Sequence, residues 1–359
     1  MLDIKFKLSP GHSSERVWMA PSPLKALFWN TTYSCNFKCD ICFTNSGHPS
    51  PEELTTREAK DMLTTAYDAG VDDIIISGGE PFIRDDLPDI LEYMGTLGLK
   101  ARIASNGSLL DDDILKRLKD TTLTKSFQIS IDTLDPDLYG KLHGVSPGML
   151  SQVLRTLRLI KKHGFHTTVS TRLTPQTLDA VPALLDRAVD EGWATVTVHF
   201  PILSGRCGNN YPQDIDFLTL LIPSFNYFLT LPRHWLIEMY IPWAQYHPAM
   251  QNLEKQAKVN YVGCRAGRDR LCVNPCGDIS FCVCLDIPEF YLGNVRSDNI
   301  ADIFSNSKIC HMMRDPGRYN ICNNCVKLSV CGGGCRAAAY ALTNKIDGPD
   351  RSCPVIKAS

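Results

Sequence analysis

YSCNFKCDICF, residues 33–43, holds three cysteines, Cys35, Cys39 and Cys42, separated by three and then two residues. A disulfide takes two thiols, and a closed zinc site takes four ligands. Three thiolates can instead hold three irons of a [4Fe–4S] cluster and leave the fourth iron open to a substrate or cosubstrate. A zinc knuckle with a distant fourth ligand, or three core thiols, is the competing reading of the spacing alone.

The stretch follows an apolar run, ALFWNTT (26–32), that reads as a strand, and the same kind of run recurs downstream. DDIIISG (72–78), KARIAS (100–105), KSFQISID (125–132), FHTTVSTRL (165–173) and ATVTVHF (194–200) are five more. Helical segments lie between them. Thr55 and Glu58 form a capping box that opens a helix ending at Gly70. DDLPDILEYMGTLG, DDDILKRLKD and GMLSQVLRTLRLIKKHG follow, the last stopped by Gly164. TPQTLDAVPALLDRAVDEG places Pro175 at a first helical position. Strands alternating with helices predict stacked βα units and a parallel sheet. The fold class expected is α/β, a partial (β/α)6 barrel followed by a small Cys-rich α+β iron–sulfur domain. In such barrels functional residues sit at the C-terminal ends of the strands.

The organisation expected is an N-terminal extension (1–26), the barrel (27–200), a linker region with one or two helices (201–263) and a Cys-rich domain (264–359). Chain length suits roughly two domains of about 100–200 residues. A formal net charge of −2, without basic or acidic runs, argues against a nucleic-acid partner. The N-terminus lacks the apolar core of a signal peptide, and the apolar region 217–243 is interrupted by Pro223, Pro232, Arg233, His234 and Glu238. No membrane partner and a cytoplasmic location are therefore expected. Fifteen cysteines are distributed unevenly: three at 35–42, one at 207 and eleven between 264 and 353. Reduced cytosolic thiols clustered in this way point to metal or iron–sulfur ligation.

SGGEP, Ser77 to Pro81, comes directly after the second strand. Gly78 and Gly79 allow close approach of a ligand, Glu80 can accept from an ammonium group, and Pro81 fixes the turn. Alone, this is an ordinary βα turn. Together with CxxxCxxC after strand one it resembles the radical S-adenosylmethionine (radical SAM) superfamily. The resemblance implies that the open iron chelates SAM, and that electron transfer splits SAM into methionine and a 5′-deoxyadenosyl radical. It also implies an external electron donor such as a flavodoxin or ferredoxin. Carried over position by position, it puts Phe43 near the adenine. Ser105 and Asn106 of SNG (105–107) then contact SAM, and Ser130 and Asp132 of SID (130–132) lie near the ribose. Many relatives carry an Arg in the loop after strand four; here KLHGVSPG offers His143, so an ion pair at that place is not assured.

At the C-terminus, Cys264 is followed by twelve residues, Gly277, four residues and Cys282, then Cys322-x2-Cys325-x5-Cys331-x3-Cys335 and Cys353. A pair of zinc ribbons is the plain reading. The array resembles the SPASM extension of radical SAM proteins, which implies two auxiliary clusters, hence three [4Fe–4S] clusters in all. One would take Cys264, Cys282 and Cys335 with Cys272 or Cys276 as fourth ligand. Cys272 is favoured because it lies in strand-like RLCVN, while Cys276 sits in the turn NPCGD. The other would take Cys322, Cys325, Cys331 and Cys353. Cys310 reads as a buried thiol, and Cys284, on the same strand face as Cys282, as either core or a spare ligand. His199 reads as a core histidine.

The function expected is a radical SAM/SPASM enzyme that removes a hydrogen atom from a C–H bond, giving epimerisation, oxidation, decarboxylation or cross-linking. Only about 26 residues precede strand one, too few for a peptide-recognition domain. That favours a small-molecule substrate, a biosynthetic intermediate that is sugar- or nucleoside-like, over a peptide. The alternatives are a maturase of a ribosomal peptide and a zinc-ribbon binding protein. Cys207, in PILSGRCGNN just beyond strand six, is the candidate catalytic hydrogen-atom donor, with Arg206 beside it to orient an anionic substrate group.

Overall fold

The structure, a computed structural model, describes residues 3–7, 16–17, 23–199, 204–210, 236–240, 258–262, 264–315, 317, 319, 322–325, 328, 332–350 and 353. In chain order the strands are β1 (Asp3–Lys7), β2 (Arg16–Val17), β3 (Ala26–Asn30), β4 (Asp73–Ser77), β5 (Lys100–Ser105), β6 (Thr124–Ser130), β7 (His166–Arg172), β8 (Thr195–His199), β9 (Leu236–Tyr240), β10 (Lys258–Val262), β11 (Arg270–Val273), β12 (Asp278–Ser280) and β13 (Gly293–Asn294). Helices α1 (Thr56–Asp68), α2 (Leu87–Leu97), α3 (Asp112–Thr121), α4 (Pro136–His143), α5 (Gly148–Lys162) and α6 (Val181–Glu191) alternate with the strands through β8. The remaining helices are α7 (Gly205–Asn210), α8 (Ile300–Asn306), α9 (Lys308–Arg314) and α10 (Arg336–Thr343).

β3 to β8 pair in sequence order, all parallel, as six βα units should. A parallel sheet must be covered by helices. Accordingly α1 buries Ala59, Met62, Leu63 and Ala66, at i, i+3, i+4 and i+7. α5 buries Leu150, Val153, Leu157 and Ile160, at i, i+3, i+7 and i+10 on one face. Trp29, Ile74, Ile76, Ile103, Phe127, Ile129 and Val169 fill the space from the strand side. The Thr55–Glu58 capping box forms, with both reciprocal bonds present.

Several elements depart from the sequence reading. α6 opens at Val181 with Pro182 in its first turn, and Pro175 does not open a helix. Thr174 and Thr177 instead bond each other and the Arg172 carbonyl, a local alternative to helix that hydroxyl side chains offer. α4 lies in the loop after the fourth barrel strand, capped by Asp135 and stopped by Gly144 in the left-handed conformation. The segment 201–263, expected as a linker with helices, contributes α7 and also two strands, β9 and β10, that the reading did not foresee. β9 continues the parallel order beyond β8, and β1 inserts antiparallel between β9 and β10. The N-terminal extension is thus part of the sheet. At the other edge β11, from the Cys-rich region, pairs parallel with β3. Most of 217–243, including Trp235 and Trp243, lies outside the described residues. Among the described residues no helix is long and apolar enough to cross a membrane.

Candidate active site

The cysteine loop leaves the C-terminal end of β3 and is closed on itself. Gly47 N–H donates to Tyr33 O at 2.8 Å, and Cys42 N–H donates to Cys39 O at 3.3 Å. The end of α4 pins the middle of the loop: Lys38 N–H donates to His143 O at 2.9 Å and Asp40 N–H to Leu142 O at 3.0 Å. Arg206 on α7 donates through Nε to Cys39 O at 2.8 Å and through a terminal nitrogen to Ser46 O at 2.7 Å. Arg172, at the end of β7, donates to Ile41 O at 2.6 Å and lies 5.4 Å from the Phe43 ring centre.

The three thiols differ in environment. Burial pushes Cys35 and Cys39 up, and the other two thiols raise Cys39 further by charge repulsion. Burial also raises Cys42, but hydrogen bonds from the Thr44 hydroxyl and the Ser46 and Thr44 amides outweigh it and leave that thiol lowered. It lies 3.3 Å from Thr44 Oγ1.

SGGEP ladders onto the same loop. Gly79 N–H donates to Thr32 O and Glu80 N–H to Ser34 O, both at 2.8 Å. A Cβ on Gly79 would come within 1.9 Å of Ser34 O, so this glycine serves the approach of two backbones. Gly78, at φ +140°, has Thr32 O 2.6 Å from where its Cβ would stand. Pro81 opens a short 3-10 turn (Pro81–Ile83) capped by the Glu80 side chain. Glu80 is fully buried and accepts from Ser105 Oγ (2.8 Å), Asn106 N–H (2.7 Å) and Phe82 N–H (3.3 Å). A carboxylate has about four lone-pair sites, so one remains for an ammonium donor. Asn106 also reaches Asn36 of the cysteine loop at 2.9 Å.

Ser130 ends β6 and is half-buried. Asp132 is turned inward: Oδ1 accepts from Arg172 N–H at 2.5 Å, and Oδ2 lies 3.1 Å from His143 Nε2. The carboxylate expected near a ribose is therefore engaged with protein, and His143 does find an acidic partner. Cys207 was expected to face the barrel cavity. It is fully buried against Ile41, with Cys39 alongside, and its N–H donates to Cys42 O at 3.1 Å. Arg206 is likewise committed to loop carbonyls instead of an anionic substrate. Both residues brace the cysteine loop, because Gly205 brings α7 against the Cys42 carbonyl. His199, at the end of β8, is half-buried, and desolvation with the nearby Arg172 lowers it.

In the C-terminal region, Cys264, Cys272, Cys282, Cys284 and Cys335 line one cavity. Cys276 does not line it. It bonds Ser50, and its carbonyl accepts from Asn294 and Arg296. Cys282 and Cys284 meet through a turn closed by Leu285 N–H to Cys282 O at 3.0 Å, not through a shared strand face, because β12 stops at Ser280. Cys284 hydrogen-bonds Cys282 and lowers it, and is itself raised. Arg336 also lines the cavity, and its buried Nε has no partner among the described residues. Cys322, Cys325 and Cys353 form a second, half-buried group whose charges act on one another. Cys331 lies outside the described residues. Cys310 is buried on α9. Among the described residues no three His, Cys, Asp or Glu side chains close on a single-ion site. Five cysteine thiols lining one cavity are a donor set that fits an iron–sulfur cluster.

The Radical SAM superfamily model matches residues 29–188, and an iron–sulfur cluster-binding domain, SPASM, matches 264–326. This chain is a radical SAM protein with a SPASM domain. The mycofactocin maturase MftC of Mycobacterium tuberculosis is 28% identical over 335 residues, 91% of this chain and 82% of that one. An AdoMet-dependent heme synthase of Methanosarcina barkeri is 26% identical over 336 residues, 89% of this chain and 93% of that one. In fold, Streptococcus suis SuiB bound to its precursor peptide SuiA superposes with a TM-score of 0.71 at 18% identity, over 92% of this chain and 76% of that one.

Kinship with the maturase overturns the expected preference for a small-molecule substrate over a peptide. That expectation used the shortness of the N-terminal extension. The extension does not act alone: β1 builds a sheet edge together with β9 and β10, more than two hundred residues away. For this radical SAM protein, residues that the sequence reading missed are Asn36, Thr44 and Arg172. Asn36 lies inside the cysteine motif and Thr44 just after it, but spacing does not show that they meet Asn106 and the Cys42 thiol, and Arg172 reaches Ile41 from the end of β7, 131 residues away.

Proposed function

We propose that this radical SAM protein is a maturase that modifies a ribosomally made peptide, with one SAM-binding and two auxiliary [4Fe–4S] clusters. The observation that carries the proposal is the joining of CxxxCxxC and GGEP into one hydrogen-bonded floor at the strand ends, with Glu80 buried beneath it. Kinship with a maturase supports the peptide substrate. Cys35, Cys39 and Cys42 would hold the first cluster. Cys264, Cys272, Cys282 and Cys335 would hold the second, and Cys322, Cys325, Cys331 and Cys353 the third. The bound cluster supplies the electron that cleaves SAM to a radical able to take hydrogen from a C–H bond. The chain's residues bind and orient. Glu80 receives the SAM ammonium, Ser105 and Asn106 set its carboxylate, and Phe43 backed by Arg172 offers a face for the adenine. Ser130 lies at the ribose side.

The test is reconstituted full-length protein with SAM, a reductant and short peptides encoded beside its gene, followed by mass spectrometry. Deoxyadenosine and a mass change on one peptide are expected, and both should vanish when Cys35, Cys39 and Cys42 are all replaced by Ala. Undiminished deoxyadenosine in that variant would sink the site assignment. SAM cleavage with every peptide unchanged would sink the substrate class.

A further inference from the structure

His143 is the last residue of α4, and its side chain is 2% exposed. Its Nδ1 lies 3.1 Å from Cys39 Sγ. On the other side of the ring, Nε2 lies 3.1 Å from Asp132 Oδ2, an ion-pair contact outside hydrogen-bond alignment. Tyr139 and Phe37 pack on the ring at centroid distances of 4.3 and 5.9 Å. Position is fixed three times over. The backbone at His143 and Leu142 accepts the amides on either side of Cys39, Gly144 leaves 2.8 Å between its absent Cβ and Lys38 Cβ, and the Arg172 amide holds Asp132.

We infer that His143 is a positioning residue of the SAM-cleaving cluster: Nδ1–H donates to the Cys39 thiolate, and Asp132 holds the ring in that orientation. The inference rests on the proposed ligation by Cys39. A ring between a carboxylate and a thiolate ligand has an acceptor on each side. A donor to a cluster sulfur withdraws charge from it and raises the reduction potential, the lever that hydrogen bonds and nearby charge exert at iron–sulfur centres. Among the described residues Cys35 receives a backbone amide, that of Phe37 at 3.4 Å, and Cys42 the Thr44 hydroxyl and the Ser46 and Thr44 amides, none of them a ring. Cys39 is thus the ligand with a side-chain ring committed to it, and its Asp132 support belongs to a different strand end.

The experiment is a redox titration followed by electron paramagnetic resonance on the full-length holoprotein, with iron and sulfide measured for each variant. The signal that changes when SAM is added marks the cluster in question. His143→Leu removes the donor, and His143→Asn keeps an amide N–H near the Nδ1 position. The Leu variant is expected to hold wild-type iron and to need a more negative potential. A tenfold fall in the reduced-to-oxidised ratio at fixed potential would correspond to about 59 mV for one electron. The Asn variant should recover most of the shift, Asp132→Asn should show part of it, and the auxiliary signals should stay in place. A fully loaded Leu variant with an unmoved midpoint overturns the inference, as does an equal shift of all signals. If the Leu variant loses iron, the Asn variant decides: retained iron with a near-native midpoint supports the donor role, and lost iron overturns it. Absence of any SAM-responsive signal in the wild type would instead refute ligation by the first cysteine array.

Discussion

Between Thr31 and Gly47 the cysteine loop is fixed by the chain's own hydrogen bonds, drawn from β4, α4, β7 and α7. Between Cys264 and Cys335 five thiols instead line a cavity walled by short elements, with the buried Arg336 Nε left without a partner among the described residues. Backbone packs on backbone in the first region: Gly79 meets the Ser34 carbonyl. Side chains close the second: Gly267 meets Met313 and Gly333 meets the Tyr319 ring. The first loop is held by backbone contacts of the chain itself, the second region by side chains packed around the thiols. A protein that must bind and release SAM gains from a preformed floor, whereas the auxiliary region needs only a stable shell.

The largest expected effect follows from taking the metal away. The auxiliary thiols are carried by loops and short elements, and metal binding in such regions is coupled to folding. After anaerobic chelation, amide hydrogen exchange should rise by orders of magnitude across 274–353 and stay near its holo values across β3 to β8. β11 should behave like the barrel, because four of its residues pair with β3. Unchanged protection in 274–353 would erase the contrast between the two regions.

Most of the barrel was legible because its signals are local. Apolar runs, one capping box and glycine stops fix β3 to β8 and most of the helices between them, and the two motifs fell on the strand ends. α4 also had its signals, Asp135-Pro136 at the start and Gly144 at the stop, yet its short span read as loop. What pairs across long separations was not legible. Nothing in DIKFK says that it joins 236–240 and 258–262, and nothing in KLHG says that His143 lies beside Cys39, 104 residues away in sequence. Cys207 was assigned from its place beyond strand six, but which face of α7 meets the cysteine loop is decided by Gly205 packing on Cys42.

A smaller effect compares one glycine from each region. Gly79→Ala must push a main-chain carbonyl aside and should destabilise by about 3 kcal/mol. It should also lower iron loading of the first site, since the displaced Ser34 adjoins Cys35. Gly267→Ala, at φ +67° with Met313 as its nearest neighbour, should cost about 1 kcal/mol and leave the first site loaded. Denaturant midpoints with iron analysis read both quantities. Equal costs for the two variants, with equal iron, would show that the cysteine loop is as adaptable as the auxiliary shell.

The smallest effect concerns Glu80 and sharpens what a preformed floor means. Burial raises its carboxyl to about 7, although the Asn106 amide, the Ser105 hydroxyl and the Phe82 amide oppose the rise. An ammonium donor needs the ionised form. Above pH 7 the charge is present and SAM affinity should be flat. As pH falls below 7 the carboxyl takes a proton, the charge is lost, and affinity should drop towards tenfold per unit. The auxiliary cavity has no part in this, so its absorbance should not follow the same curve. Calorimetric titration with SAM between pH 5.5 and 8 measures the profile, and Glu80→Gln should bind weakly at every pH without the inflection. A wild-type profile that is flat through this range would mean that the three protein donors hold Glu80 ionised on their own. The floor would then be complete before SAM arrives, in charge as well as in shape.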